Sequence, residues 1–151
     1  MTVRQPTDSI NRLLARRAEA RRALLGWFAG AARDLPFRRR RDPYAVWIAE
    51  VMLQQTTVAA ATPYWEAFMA RFPDAAALAA ASEEEVLRLW SGLGYYRRAR
   101  NLLAAARLVA AERGGELPGD VAGLRALPGV GAYTAAAVAS QAFGVPAPAL
   151  D

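Results

Sequence analysis

A chain of 151 residues, 54% of them hydrophobic, is long enough for one domain with a buried core, and disorder is not its default. All 19 basic residues are arginine, and Cys, His and Lys are absent. That excludes, within these residues, a disulfide, a thiol nucleophile, an iron–sulfur or zinc–thiolate site, an imidazole base and a lysine Schiff base. Carboxylates are left as the strongest acid–base candidates, with Tyr, Ser and Thr in support. The net charge of +5 favours a polyanionic partner. Charge breaks every apolar run before it reaches the length of a membrane span, and the N-terminal residues lack the apolar core of a secretory signal.

Residues 1–8 read as a loose tail and residues 9–151 as one domain. Apolar residues from Ile10 to Phe28 recur at helical spacing, so a helix is expected over about 9–31. Asp34-Leu35-Pro36-Phe37 ends it, and Arg38 to Arg41 form a charge run that suits either phosphate contacts or a solvated loop. Asp42 can cap the next helix, with Pro43 at its first position, continuing to about Thr57. Pro63 opens another, ending near Phe72-Pro73, and a short helix follows at 74–80. Ser82 and Glu85 form a capping box for 83–90. Gly92-Leu93-Gly94 is a turn, 97–113 is helical, and Gly114-Gly115 stops it. Asp120 starts a short helix that feeds a Pro-Gly-x-Gly turn, and the last helix spans 132–143. No β-alternation appears, so the fold class is all-α, a compact multi-helix domain.

Three segments can carry chemistry. In Leu127-Pro128-Gly129-Val130-Gly131 the glycines permit a sharp turn and leave N–H groups bare at a helix N-terminus, a ready anion site; the plainer alternative is an ordinary helix connection. Glu50 stands among Trp47, Ile48, Val51, Met52 and Leu53. A carboxyl in such surroundings is expected to have a raised pKa, which suits a proton donor, although a solvent-facing Glu on an amphipathic helix fits the same spacing. Glu50, Leu53 and Gln54 share one helix face. In Trp90-Ser91-Gly92-Leu93-Gly94-Tyr95-Tyr96-Arg97-Arg98 a raised aromatic could wedge between bases while arginines hold phosphates, or the tyrosines could be core residues.

In this order the motifs resemble the catalytic domain of the adenine DNA glycosylase family, within the helix-hairpin-helix DNA glycosylase superfamily. The matching stretches are D-L-P-F-R at 34–38, P-Y-A-V-W-I-A-E-V-M-L-Q-Q-T at 43–56, F-M-A-R-F-P at 68–73, L-W-S-G-L-G-Y-Y-R-R-A-R-N-L at 89–102 and L-P-G-V-G-A-Y-T-A-A-A-V at 127–138. The resemblance implies a helix-hairpin-helix, endonuclease III-like fold and a monofunctional base-excision repair enzyme. That enzyme flips adenine, mispaired with 8-oxoguanine or guanine in double-stranded DNA, into a pocket and hydrolyses its N-glycosidic bond. It further implies a monomer in the cytoplasm, associated with the nucleoid.

Carried over by position, Glu50 resembles the catalytic acid. Asp151 matches the second carboxylate, which offsets the positive sugar of the transition state. Tyr133 stands where bifunctional relatives carry a nucleophilic lysine. Arg33, Phe37, Arg38 and Leu53 resemble adenine-pocket residues, with Phe37 in place of the usual Trp. Gln54, Gln55, Thr56, Tyr95 and Arg97 match the DNA-contacting segments, of which Gln55, Thr56 and Tyr95 enter the base stack. Gly129, Val130 and Gly131 resemble the hairpin that grips backbone phosphate, often through a monovalent cation.

The family pattern continues beyond the position of Asp151 with Gly-Asn-Val, further helices, the four cysteines of a four-iron–four-sulfur cluster and a C-terminal domain that helps recognise 8-oxoguanine. None of these lies in this sequence, so it is expected to be a truncated product or a fragment, with no metal site or cofactor of its own. Two other readings remain: a DNA-binding remnant with an unassembled pocket, and a thymine or uracil mismatch glycosylase of the same superfamily.

Overall fold

The computed structural model describes residues 6–39 and 42–149, with the side chains of residues 6–13 and of Arg38 outside that description. Regular secondary structure among the described residues is helical throughout. The chain divides into two units, Met1–Asp34 and Leu35–Asp151.

The first unit contains α1 (Pro6–Ala31). Its first described residues, Pro6 to Asp8, lie inside the segment expected to be a loose tail. Of the apolar stripe expected to pack, Leu24 is 62% and Phe28 48% accessible. Within its own unit α1 has no second element to bury against.

The second unit holds α2 (Pro36–Arg39), α3 (Pro43–Met52), α4 (Val58–Arg71), α5 (Ala75–Ala79), α6 (Glu83–Trp90), α7 (Arg97–Arg113), α8 (Val121–Arg125) and α9 (Ala132–Phe143). Pro36 opens α2 where the sequence suggested a stop and a charge run. At the head of α3 the Asp42 carboxylate accepts from Tyr44 N at 3.2 Å and Ala45 N at 3.3 Å. Eight of the ten residues of α3 are buried. They are covered by α2, α4, α7 and α9, which makes α3 the central helix of the unit. The indole N–H of Trp65 on α4 donates to Ala45 O at 3.2 Å and ties the two helices together.

Two further boundaries differ from expectation. Helix α3 stops at Met52 rather than near Thr57, because Gln55 adopts a left-handed conformation (φ 58°) that no helix continues through. Helix α4 starts at Val58 and holds Pro63 inside it. The Thr57 hydroxyl caps it by accepting from Ala60 N at 3.3 Å, and the Thr62 hydroxyl donates to Val58 O at 2.8 Å one turn back. The other starts follow their caps: Asp74 accepts from Ala77 N, Ser82 from Glu85 N and Asp120 from Gly123 N. An edge-to-face stack of Phe68 on Phe72 (5.0 Å between centroids) and on Trp90 (6.1 Å) fills the core under α4 and α6. Truncating Phe68 to Ala there would cost about 3–5 kcal/mol.

Candidate active site

Helices α3 and α9 run antiparallel along a seam with two polar contacts. Gln141 Nε2 donates to Glu50 Oε1 at 2.8 Å, joining residues 91 apart in sequence. Just past the end of α3, Gln54 Nε2 donates to Thr134 Oγ1 at 3.1 Å. Between them α9 presents only small apolar residues, Ala135, Val138 and Ala139, all buried, which let the helices approach closely. Thr134 is 2% exposed, and its hydroxyl is satisfied by this contact.

Glu50 was expected among buried neighbours, and Trp47, Ile48, Val51 and Met52 are indeed buried. The carboxyl itself is only half-buried: it sits at the rim of the seam, where α3 turns from the core toward α9. Oε1 is held by Gln141, and among the described residues Oε2 has no hydrogen-bond partner. A carboxyl with one oxygen fixed and one free can deliver or take a proton in a set direction. Gln54, expected at the DNA surface, is instead half-buried and engaged with Thr134.

The hairpin leads straight into α9. Gly129 is left-handed (φ 76°), and a Cβ there would stand 2.6 Å from Cβ of Asn101 on α7, so the turn both requires and depends on glycine. Val130, matched to the same hairpin, is 8% exposed, its side chain anchoring the turn to the core and its N–H bonding Leu127 O at 3.1 Å. Gly131 is the N-cap of α9 and offers no side-chain oxygen. Five helices of this unit are capped by Asp, Ser or Thr; α9 starts bare. Tyr133 is exposed (38%) in this first turn, next to Thr134.

Two loops project beside this seam. The turn at 53–56 follows α3, and residues 91–96 join α6 to α7. Their outer residues, Gln55 (φ 58°) and Tyr95 (φ 49°), are the two non-glycine residues with positive φ among those described. Such strain persists only where the surroundings hold it. Tyr95 is 64% and Tyr96 41% exposed, so neither is a core aromatic. Arg97 is exposed and pairs with no acid among the described residues. Thr56 is half-buried.

The residues matched to the adenine pocket are placed unevenly. Leu53, the C-cap of α3, is half-buried near Gln54. Phe37 was expected to offer a stacking face, yet it is 7% exposed with its ring against Trp65 at 6.0 Å. Its position in α2, directly over α3, makes it a core contact. Arg33 belongs to the first unit and is exposed. The side chain of Arg38 and all of Asp151 lie outside the described residues. The structure thus sets Gln54 against the start of α9, where Tyr133 stands, and Glu50 one turn earlier, against Gln141 in the last turn of α9. It adds Gln141 and Thr134, which sequence reasoning missed, and turns Arg98, expected to hold phosphate, inward onto backbone carbonyls. A signal existed for two of these: Thr134 and Gln141, seven residues apart, share one face of a helix otherwise built of small residues.

Among the described residues no group of three or more His, Cys, Asp or Glu side chains could hold a metal ion. With no cysteine, the chain has no thiolate that fits an iron–sulfur cluster.

Comparison with known proteins gives the context. A sequence model described as "HhH-GPD superfamily base excision DNA repair protein" matches residues 48–151. The human adenine DNA glycosylase is 50% identical over 133 residues, 82% of this chain and 24% of that protein. The adenine DNA glycosylase of Mycolicibacterium smegmatis is 46% identical over 85% of this chain and 44% of its own length. The chain therefore spans between about a quarter and under half of these relatives. Among solved structures, a thermostable thymine-DNA glycosylase superposes with a TM-score of 0.79 at 32% identity, covering 84% of this chain and 59% of that one. A non-covalent endonuclease III–DNA complex gives 0.75 at 30%, covering 89% and 63%. The all-helical fold, the hairpin before α9 and the match over residues 48–151 agree: this chain belongs to the HhH-GPD superfamily of base excision DNA repair proteins.

Proposed function

We propose that this chain carries the catalytic chemistry of a monofunctional DNA N-glycosylase that removes adenine mispaired with 8-oxoguanine or guanine. The observation that carries the reading is Glu50: a half-buried carboxyl on the central helix, its Oε1 accepting from Gln141 in the last turn of α9 and its Oε2 without a hydrogen-bond partner among the described residues. In this scheme the flipped adenine takes a proton from Glu50 Oε2, and the N-glycosidic bond breaks with its electron pair leaving on the base. The carboxylate of Asp151 offsets the cationic sugar, and a water assisted by Glu50 completes hydrolysis. Tyr133 lines the site where a lysine would form an imine, and with no lysine in the chain that route is closed.

The uncapped N–H groups of α9 and the exposed Gly129 and Gly131 would receive a backbone phosphate, and the exposed Arg97 would meet another. In the same scheme a monovalent cation at the hairpin would bridge the turn to that phosphate. Similarity to adenine glycosylases at 46–50% identity, against 32% for the thymine-specific structure, supports adenine as the base. The test is which free base this chain releases from duplexes holding adenine opposite 8-oxoguanine, thymine opposite guanine, or uracil opposite guanine. Adenine alone is expected. Thymine or uracil release would reassign the substrate, and binding without release would leave a DNA-binding remnant.

A further inference from the structure

The second arginine of the Tyr-Tyr-Arg-Arg run does not face solvent as a phosphate contact would. Arg98 Nη1 donates to Val51 O (2.9 Å), Met52 O (3.2 Å) and Gln54 O (2.5 Å) at the end of α3. Its Nη2 donates to Leu93 O and Gly94 O, both at 3.4 Å, in the loop before α7. The guanidinium lies 5.5 Å from the Trp90 ring and 5.7 Å from the Tyr95 ring. The last carbonyls of a helix lack intrahelical partners and carry the negative end of its dipole. Helix α3 has no basic residue in its own last turn, so the cation comes from α7. One rigid fork therefore fastens both loops that carry left-handed, non-glycine residues, Gln55 and Tyr95.

We infer that Arg98 is a positioning residue that presets Gln55 and Tyr95 as the two jaws entering the base stack around a mispaired adenine. This rests on the glycosylase reading above. Arg98 touches neither base nor sugar in this scheme; it acts through the backbone of the two loops. Arg107, nine residues on, supplies an internal control. It donates to Ala79 O at 3.3 Å and Ala81 O at 3.0 Å at the end of α5, the same kind of contact with no left-handed residue beside it.

The experiment compares the wild-type chain with Arg98→Met and Arg107→Met, each checked for folding by circular dichroism. Two quantities are read: amide hydrogen exchange in the free protein, and the ratio of affinities for a duplex with adenine opposite 8-oxoguanine and for a fully paired duplex. Arg98→Met should speed exchange at 53–56 and 92–96 and lower the ratio by roughly tenfold, with affinity for the paired duplex unchanged. Arg107→Met should leave the ratio as it is. A purely structural role would weaken binding to both duplexes alike. Should Arg98→Met not fold, Arg98→Lys, which keeps the charge but not the fork, carries the same comparison. Unchanged exchange at both loops in a folded Arg98 variant overturns the inference and leaves the glycosylase reading standing. A wild-type chain with no preference for the mispaired duplex overturns that reading, and this inference with it.

Discussion

The two ends of α3 are held in opposite ways. Its start is closed by Asp42, which reaches N–H groups two and three residues ahead. Its end is closed by Arg98, which reaches carbonyls 44 to 47 residues behind it. The local cap fixes where the helix begins and involves nothing else. The distant clamp couples the end of the helix to a second loop, and so couples the placement of Gln55 to that of Tyr95. Glu50 lies between these ends, and a third long-range contact, from Gln141, sets its orientation. A local contact builds an element; the contacts from far along the chain build the site.

The comparison can be broken or sharpened by substitution. Of the substitutions that bear on this contrast, the largest effect on stability is expected from Arg98→Met, which strips the clamp from both loops: about 3 kcal/mol by urea denaturation. Asp42→Ala removes only a cap and should cost about 1 kcal/mol, with the preference for mispaired DNA intact. Equal losses in the two variants would erase the distinction between the ends. Gln141→Ala should slow adenine release by about two- to tenfold with little change in melting temperature, since one hydrogen bond at the rim of the seam is lost.

The smallest effect is expected from Tyr44→Phe, next to the Asp42 cap. Burial, and after it the charges of Asp74 and Asp42, push the Tyr44 hydroxyl well above its ordinary pKa of 10.0. The unfolded chain releases that proton above about pH 10 while the folded chain keeps it, so stability is undiminished below pH 10 and falls as pH rises beyond it, by up to about 1.4 kcal/mol per pH unit. The Tyr44 oxygen is buried with no partner among the described residues. Tyr44→Phe should therefore be close to neutral at pH 7 and should flatten the decline above pH 10, as read from melting temperature against pH.

The same contrast explains what the sequence made legible. Asp42, Ser82 and Asp120 mark helix starts because their partners lie within three residues, and α6, α7 and α9 have the bounds that caps and glycines suggest. Pro63 misled because a first-turn proline is the commoner pattern, whereas Thr57 caps this helix earlier. The end of α3 was invisible because Gln55, not glycine, takes the left-handed turn there, and what holds it is a residue of α7. Glu50 could be singled out from its apolar neighbours. Its half-buried setting could not, because the partner that defines it stands 91 residues away. Arg97 and Arg98 are alike in sequence and opposite in role, since only the fold decides which of two adjacent arginines points inward.

The most direct measurement is single-turnover release of adenine from a duplex carrying it opposite 8-oxoguanine, by the wild-type chain and by Glu50→Gln, at DNA concentrations that saturate both. Removing the proton donor while keeping the shape should slow release by about 10²- to 10⁴-fold with affinity nearly unchanged. Release by Glu50→Gln at the wild-type rate would contradict the account, because some group other than Glu50 would then have to supply the proton.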